Sequence, residues 1–240
     1  MTHQPEQQPN ASTRILEDRL ARLYRLRREA EDPRWRRRVW STLVTTVFQP
    51  LIHESDTVVD LGAGWCEFIN AVRAKRKIAV DVNPEVQRWA HDAEVLIARA
   101  TDLAAIPSGS VDVVFSSNLL EHLPGKDSVL RTLAESNRIL RPGGLLITLM
   151  PNLRYLGPRY WDYFDHLTPL THKSLAEAYE LEGFEVVRLV PRFVPYALRD
   201  GMFPRSELLV RLYLRLPPLW WIFGRQMLAV GRKPPSRGSR

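Results

Sequence analysis

The turn at Gly62–Gly64 is the first place in the chain where residue types and spacing could do chemistry. A run of buried-strand character, Val58–Leu61, leads into it, and a helical stretch follows. Glycines at such a turn let the backbone bend sharply and let a ligand approach where a Cβ would clash. A second strand-like run ends in Asp81, whose carboxylate could accept hydrogen bonds from both ribose hydroxyls of an adenosine. Together the two signals indicate a nucleoside site.

Glu67 separates two classes of nucleoside ligand. The dinucleotide fingerprint GxGxxG requires a third glycine at position 67, and a glutamate there would place a carboxylate beside a pyrophosphate. An NAD-dependent dehydrogenase is therefore disfavoured. S-adenosylmethionine (SAM) has no phosphate, and its amino-acid tail carries an ammonium group. A site with Asp60 and Glu67 nearby suits SAM better on electrostatic grounds.

Five motifs, in order along the chain, resemble those of class I SAM-dependent methyltransferases. They are DLGAG at Asp60–Gly64, VDVNP at Val80–Pro84, ATDL at Ala100–Leu103, SVDVVFSSNLLEHL at Ser110–Leu123 and RILRPGG at Arg138–Gly144. The resemblance implies a Rossmann-like, doubly wound α/β sheet of seven strands, mostly parallel with an antiparallel last strand. It implies SAM as the cofactor. One departure is Cys66, which stands where many members carry a third glycine and is expected to affect only local packing.

The resemblance also assigns roles to residues. It implies that the turn Gly62–Gly64 cradles the methionine part of the cofactor and that Asp81 binds the ribose. Asp102 would contact the adenine amino group and Leu103 the adenine face, while Asn118 would lie near the methionine part or the reacting centre. The cofactor-binding residues expected on this basis are Asp60, Gly62, Ala63, Gly64, Asp81, Val82, Asp102, Leu103 and Asn118.

The segment Tyr160–Thr171 mixes aromatic and titratable side chains and follows the predicted fifth strand. A hydroxyl acceptor needs a general base within hydrogen-bond reach, whereas an amine needs only to arrive deprotonated. We predict that His166 is this base, oriented by Asp165 or Asp162. In the alternative interpretation, Asp165 and His166 brace the helix that begins near Thr171. The aromatic residues expected to shape the acceptor pocket are Tyr160, Trp161 and Tyr163.

His122 is a second candidate, next to Glu121 after the predicted fourth strand. An EH pair at this point is common in the family that the chain resembles, which favours a structural or cofactor-supporting role over direct catalysis. The six histidines of the chain show no metal-ligand spacing such as HxxxH on one helix. No metal is therefore expected.

Alternating β-branched runs and helical stretches must position these residues, a pattern typical of βα units and a parallel sheet. The predicted strands are Thr57–Leu61, Lys77–Val82, Glu94–Ile97, Val111–Ser116, Gly144–Met150, Phe184–Pro191 and Gln226–Arg232. The predicted helices of this region are Cys66–Ala74, Pro84–Ala93, Lys126–Leu140 and His172–Glu182.

The chain divides into three predicted parts. Residues 1–50 form a tail at 1–12 and a helical preface, with helices at 14–30 and from Pro33 toward Phe48. Residues 51–233 form the SAM-binding domain, with an insertion at 192–225 that delays the last strand. Residues 234–240 form a disordered tail.

The amino-acid composition restricts the class of protein and the kinds of binding partner. With 45% hydrophobic and 25% charged residues the chain is of the soluble globular type, and one cysteine ties it to no oxidising compartment, so a cytoplasmic location is expected. The net charge of +7 is compatible with nucleic acid, an acidic membrane surface, a phosphorylated acceptor or simple solubility. The apolar stretch at 205–224 is either core or a surface for a membrane, a lipid-linked acceptor or a second copy in a homodimer.

The favoured function is methylation of a small-molecule hydroxyl, of sugar or metabolite type, with N- and C-methylation left open. An RNA methyltransferase is a second interpretation, disfavoured because SNLLEHL stands where an NPPY-type motif would, and because no separate RNA-binding module is visible. A non-catalytic SAM-binding or scaffold protein is a third.

Overall fold

The computed structural model describes residues 32–196 and 205–235, together with Arg22, Leu23 and Leu26. The predicted tail at 1–12, most of the helix at 14–30 and most of the tail at 234–240 lie outside the described residues. From residue 32 onward, the predicted preface is an α-helix followed by a π-helical turn and a 3₁₀ turn.

Seven strands form one sheet in the order β3-β2-β1-β4-β5-β7-β6, and β7 is antiparallel to both of its neighbours. The predicted Rossmann-like, doubly wound fold with an antiparallel last strand is confirmed. The strands are β1 Thr57–Leu61, β2 Arg76–Asp81, β3 Glu94–Ile97, β4 Val111–Ser117, β5 Leu140–Pro151, β6 Glu185–Val190 and β7 Gln226–Arg232.

Within residues 32–196 and 205–235, seven α-helices flank the sheet or cover its edge. They are α1 Pro33–Leu43, α2 Glu67–Ala71, α3 Lys126–Ile139, α4 Leu153–Leu156, α5 His172–Leu181, α6 Glu207–Arg215 and α7 Pro217–Phe223. Tighter or wider helical turns occupy Val44–Phe48, Gln49–Leu51, Pro84–Arg88, Leu120–His122 and Gly157–Asp162. Among the described residues, no helix has both the length and the apolar character that a membrane span requires.

Two of the predicted helices are shorter in the structure. The stretch predicted as a helix at Pro84–Ala93 is a 3₁₀ turn that ends at Arg88, and its main packing contribution is the buried side chain of Val86. The helix predicted at Cys66–Ala74 is little more than one turn, because the backbone becomes extended at Val72. Short helices here keep the loops after β1 and β2 close to the sheet edge.

The hydrophobic core lies on both faces of the sheet. Alternate residues of β1 point to opposite sides, so that Val58 belongs to one cluster and Val59 to the other. The first cluster packs against α1, α2 and α6, and the second against α3 and α5. Burial on both faces is what makes the central strands read as continuous apolar runs.

The strand order reverses at β1, which pairs with β2 on one side and β4 on the other. In an open α/β sheet such a switch point leaves a crevice at the carboxyl ends of the two strands, since their connections leave in opposite directions. The residues that follow β1 and β4 therefore share one cleft.

Candidate active site

A cavity of about 280 Å³ opens at this switch point, between the carboxyl ends of β1 and β4 and the helix α1. Of the residues singled out from the sequence, those that line it are Asp60, Gly62, Ala63, Glu67, Asn118, Glu121, His122, Tyr163 and His166. Its wall also includes residues that sequence reasoning did not select, among them Trp35, Arg36, Trp40, Tyr196 and Arg205.

The glycine turn is held in a conformation that suits glycine. Gly62 has φ +68° and Gly64 has φ +51°, in the left-handed region that side chains with a Cβ rarely adopt. The N–H groups of Gly62 and Ala63 both donate to the carbonyl oxygen of Val80, at 2.9 and 3.0 Å. A Cβ added at Gly62 would meet Leu119 Cδ1 at 3.0 Å. The turn therefore brings bare backbone to the cavity wall.

Asp81 faces this turn. Its Oδ2 accepts a hydrogen bond from the N–H of Gly64 and its Oδ1 one from the N–H of Asn83, each at 2.8 Å. Because a carboxylate oxygen can accept two hydrogen bonds, each oxygen keeps one position for a further donor such as a ribose hydroxyl. The residue predicted to bind ribose is thus placed beside the residues predicted to bind the methionine part.

The buried carboxylate of Asp60 bears on whether the site suits a cationic cofactor. Its carboxylate is 4% exposed and receives the backbone N–H of Ile69. Burial raises the pKa of Asp60 well above its ordinary value, and the neighbouring carboxylates of Asp81 and Glu67 raise it further. A cation bound there would offset the cost of the buried charge, whereas a phosphate would add to it. The residues present therefore fit the ammonium and sulfonium of SAM and not a pyrophosphate.

The residues predicted to contact adenine lie away from the cavity, beyond β2. Asp102 is exposed, and its Oδ1 accepts a hydrogen bond from the N–H of Ala104 at 3.2 Å. Val82 follows Asp81 and is 60% exposed, so its side chain offers apolar surface to a ligand. Leu103 is fully buried in the core, and its side chain presents no surface to an adenine ring. The structure thus gives no support to the predicted role of Leu103.

Helix α1 closes the cavity from above and was not expected to take part in the site. Asp32 caps its first turn and accepts hydrogen bonds from the N–H groups of Arg34 and Trp35. Arg36 forms an ion pair with Glu67 at 2.6 Å, and its guanidinium lies 3.8 Å from the centre of the Trp65 ring. The helical spacing of the cavity-lining residues Trp35, Arg36, Val39, Trp40 and Leu43 is the sequence signal that would have shown this face.

His166 is buried, and a backbone carbonyl helps to fix its ring. Its Nδ1 donates to the carbonyl oxygen of Tyr160 at 2.7 Å, and its Nε2 lies 3.4 Å from the hydroxyl of Tyr196. Tyr163 stacks on the ring with a centroid distance of 5.2 Å. Since a carbonyl oxygen can only accept, Nδ1 carries the proton and Nε2 is the basic nitrogen.

Asp165 and Asp162, the carboxylates predicted to orient His166, differ in placement. Asp165 contacts His122, with its Oδ2 at 3.4 Å and its carbonyl oxygen at 2.9 Å from His122 Nδ1. Asp162 is exposed. Helix α5 begins at His172, and Thr171 and Ser174 form its capping box, so neither Asp165 nor His166 caps this helix.

The three aromatic residues predicted for the acceptor pocket lie in different environments. Tyr163 lines the cavity. Tyr160 is fully buried, and its hydroxyl donates to the carbonyl oxygen of Thr168 at 2.6 Å, so it holds the loop together. Trp161 is 54% exposed and packs edge-on against Tyr160, outside the cavity lining. The predictions for Tyr160 and Trp161 as acceptor-contacting residues are not supported by this placement.

Glu121 was named in the sequence analysis only as the neighbour of His122 and was given no role of its own. Its side chain is fully buried, lines the cavity, and neither of its carboxylate oxygens has a hydrogen-bond partner among the described residues. Burial raises the pKa of Glu121 to about 7. The rings of His122 and His166 are neighbours, with centroids 5.1 Å apart. The signal available in the sequence was the pair Glu121-His122 itself.

Cys66 packs, as expected. It is fully buried with φ +60°, and burial raises the pKa of its thiol to about 12. The thiol is therefore protonated at neutral pH. The left-handed backbone explains why a glycine would also suit this position.

Comparison with known proteins agrees with this architecture. A family model described as "Methyltransferase domain" matches residues 59–148, which span β1 to β5. Among curated proteins, "Probable methyltransferase ltbC" of Aspergillus luteorubrus is 26% identical over 64% of this chain and 59% of its own. A "Methyltransferase" of Claviceps purpurea is 38% identical over 37% of this chain and 29% of its own. The chain therefore spans less than two thirds of the length of these relatives.

Solved structures show the same fold. A SAM-dependent methyltransferase from Archaeoglobus fulgidus superposes with a TM-score of 0.60 at 20% identity, covering 81% of this chain and 93% of that one. A Burkholderia thailandensis 1,6-didemethyltoxoflavin-N1-methyltransferase superposes with a TM-score of 0.57 at 18% identity, covering 97% and 93%. These likenesses show the fold of SAM-dependent methyltransferases, and residues 59–148 match the methyltransferase domain model.

Proposed function

We propose that this protein transfers a methyl group from SAM to a hydroxyl group of a small molecule of sugar or metabolite type. The observation that carries the proposal is the make-up of one cavity, whose lining includes the glycine turn and Asp60 together with Glu121, His122 and His166. A site for a cationic cofactor therefore adjoins a site that can activate an acceptor.

The chain's own residues would hold SAM, which supplies an electrophilic methyl group on its sulfonium. Asp60 supplies a buried negative charge for the cofactor's ammonium group, and the backbone of Gly62–Gly64 allows close approach. Asp81 supplies two acceptor positions for the ribose hydroxyls. Oriented binding of this kind accounts for much of the rate of an in-line displacement.

A hydroxyl acceptor is favoured because basic groups converge where it would lie. The Nε2 of His166 is unprotonated in the neutral ring, since Nδ1 is held as a donor by Tyr160. It lies at the cavity wall, where it could accept the hydroxyl proton as oxygen attacks. Asp165 contacts His122, so it contributes to the position of the second ring.

Aromatic side chains in the cavity lining support a small-molecule acceptor. Trp35 and Trp40 of α1 line the same cavity as Tyr163 and Tyr196. Such surfaces pack against a ring, whereas a polynucleotide needs a basic groove with a series of stacking positions. A cavity of about 280 Å³ therefore favours a small molecule over RNA.

The exposed apolar face of α6 and α7 supports a lipid-linked acceptor or a membrane surface as a further contact. Leu208 is 74% exposed, Trp221 62% and Ile222 58%, so the interpretation of 205–224 as core holds for Leu214 but not for these residues. Arg211 lies on the same helix as Leu208. Apolar side chains beside arginines are typical of surfaces that rest on anionic lipid.

The test combines cofactor binding with a search for acceptors. We expect calorimetric titration to show binding of SAM and S-adenosylhomocysteine and no binding of NAD. A panel of hydroxylated and aminated small molecules, incubated with SAM, should release S-adenosylhomocysteine only with hydroxylated members. In the absence of added metal, His166→Ala at saturating acceptor should lower turnover by about 10² to 10⁴. Turnover with amines alone, or full turnover in the variant, would contradict the proposal.

A further inference from the structure

Glu121, His122 and His166 meet at one wall of the cavity, and we propose that they bind a divalent transition-metal cation. One ligand atom from each residue can be chosen so that all three lie within 4.8 Å of one another. Ligands of a single ion, each about 2.1 Å from it, are separated by about 3 to 4 Å, so only a small inward shift is needed. The presence of a cation site does not depend on the proposed function. Its catalytic role does rest on that function, because the cation would activate the same acceptor.

The buried carboxylate of Glu121 is the first argument. It is fully buried, and both of its oxygens lack a hydrogen-bond partner among the described residues. A buried carboxylate is ordinarily paired with a cation or coordinates one, because burial removes the water that would otherwise solvate its charge. Its position in the cavity lining, beside the two imidazoles, leaves a metal ion as the partner that best fits.

The orientation of the two rings is the second argument. The Nδ1 of His122 lies 2.9 Å from the carbonyl oxygen of Asp165, and the Nδ1 of His166 lies 2.7 Å from that of Tyr160. Both rings therefore carry their proton on Nδ1 and have the lone pair on Nε2, which in His166 lies 3.4 Å from the hydroxyl of Tyr196. Metal-binding histidines show this arrangement, in which a backbone carbonyl or a carboxylate fixes the tautomer of the ligating ring.

The two segments that supply the ligands are joined before any ion binds. The carbonyl oxygen of Glu121 accepts hydrogen bonds from the N–H groups of Leu167 and Thr168, at 2.8 and 3.0 Å. The hydroxyl of Thr168 donates to the carbonyl oxygen of Leu123 at 2.6 Å. The turn after β4 and the loop that carries His166 are thus fixed to each other. Spacing along one helix did not reveal the cluster because its members come from these separate segments.

The ligand types select the metal. Two imidazole nitrogens and one carboxylate oxygen suit Zn²⁺, Mn²⁺, Fe²⁺ or Co²⁺, while Mg²⁺ and Ca²⁺ prefer sites made of oxygen alone. Three protein ligands leave coordination positions open toward the cavity. An acceptor hydroxyl bound there would have its pKa lowered by the cation, and its proton would pass to water. His166 would then be a ligand and not the base.

The experiment measures metal binding directly. Protein stripped with a chelator and dialysed is titrated with Zn²⁺ in competition with a chromogenic indicator, and Co²⁺ is added separately while the visible absorption is recorded. We expect one tight ion per chain and a Co²⁺ spectrum typical of nitrogen and oxygen ligands. Glu121→Gln and His122→Asn should each weaken binding by at least about tenfold. His91→Ala, which removes an exposed histidine, should leave binding unchanged.

The outcomes separate this inference from the proposed function. Binding of S-adenosylhomocysteine, together with the thermal unfolding midpoint, shows that each variant is folded; His122→Asn keeps a donor for the carbonyl of Asp165 and so serves if Glu121→Gln does not fold. Cofactor binding without saturable Zn²⁺ or Co²⁺ binding overturns the metal site and leaves the methyltransferase proposal standing. Loss of binding in His91→Ala, or binding of Mg²⁺ alone, also overturns it. Metal binding without cofactor binding contradicts the proposed function instead.

Discussion

The guanidinium of Arg36 lies 3.8 Å from the centre of the Trp65 ring, so that helix α1 is fixed directly onto the turn that would hold the cofactor. The same guanidinium pairs with Glu67 at 2.6 Å, and both side chains are largely buried. Because Glu67 also raises the pKa of Asp60, Arg36 limits the negative charge around the cofactor site. Closure of the cavity and the electrostatics of the cofactor site are therefore coupled through one residue.

The first prediction concerns this coupling. Arg36→Met should lower the free energy of unfolding by about 1 to 3 kcal/mol, because it leaves the carboxylate of Glu67 buried without its ion pair. Glu67→Gln in the same chain should restore much of the loss. Denaturant unfolding of the two single variants and the double variant measures this as a double-mutant cycle. Additive effects would show that the pair does not couple α1 to the turn.

The second prediction concerns the charge of Asp60. Asp60→Asn keeps an acceptor for the N–H of Ile69 but removes a charge that the folded protein disfavours. Because the folded-state pKa is raised, the wild type loses stability as pH rises from the ordinary aspartate pKa toward the folded one. The apo variant should therefore be more stable than the wild type near pH 7, and the difference should shrink toward pH 4. Thermal unfolding across this range gives the answer.

The same substitution should weaken cofactor binding even though it stabilises the apo protein. If Asp60 receives the ammonium group of the cofactor, Asp60→Asn should weaken binding of S-adenosylhomocysteine by about tenfold or more, since a charge-assisted hydrogen bond is lost. Calorimetric titration measures the change. A variant that is both more stable and unchanged in affinity would place the ammonium elsewhere.

The fold was predictable because its determinants are local. Burial on both faces gives the central strands their apolar runs, and the turn residues between them mark the switch point. The start of β5 was predicted too late, since Pro142 and Gly143 read as a loop. In the structure β5 runs from Leu140, and an irregularity opposite, between Val111 and Val113, accommodates those residues.

The sequence predicted the site residues only where they belong to a recognisable motif. Asp60 and Gly62 lie in such a motif at the end of their strand. One hydrogen-bond partner of His166, in contrast, is a main-chain carbonyl oxygen, and no side-chain pattern encodes which carbonyl reaches the ring. The carboxylate of Glu121 lacks a hydrogen-bond partner in the described part of the chain because elements distant in the sequence bury it, and residue spacing along the chain does not show this burial. Long-range packing thus decides the roles of residues whose types the sequence displays.

The third prediction concerns the glycine turn. Gly62→Ala places a Cβ 3.0 Å from Leu119 Cδ1 at a backbone φ of +68°, so we expect a loss of about 1 to 2 kcal/mol in unfolding free energy. Cofactor affinity should fall as well, because the methyl group lies at the cavity wall. Gly109→Ala is a matched control with the same φ, +68°, and nothing within 4 Å of the added Cβ. Equal loss of cofactor affinity in both variants would show that strain, rather than the cavity, is responsible.

The fourth prediction concerns the single cysteine. Burial raises the pKa of Cys66 to about 12, and the side chain is fully buried, so neither deprotonation nor reagent access is expected in the native state. Native protein should fail to react with a chromogenic disulfide reagent at pH 8, whereas unfolded protein should show one thiol per chain. Rapid reaction of the native protein would contradict the packing role of Cys66.

The fifth prediction concerns the exposed apolar face of α6 and α7. Leu208→Glu combined with Trp221→Glu should reduce co-sedimentation with vesicles containing phosphatidylserine, because both side chains are mostly exposed and would enter the interfacial region of the bilayer. Leu181→Glu is the matched control, since Leu181 is also 74% exposed but lies on α5. Binding should weaken with salt, as arginines supply part of the attraction. Wild-type protein that remains in the supernatant at low salt would exclude the membrane contact while leaving the cavity and its chemistry unaffected.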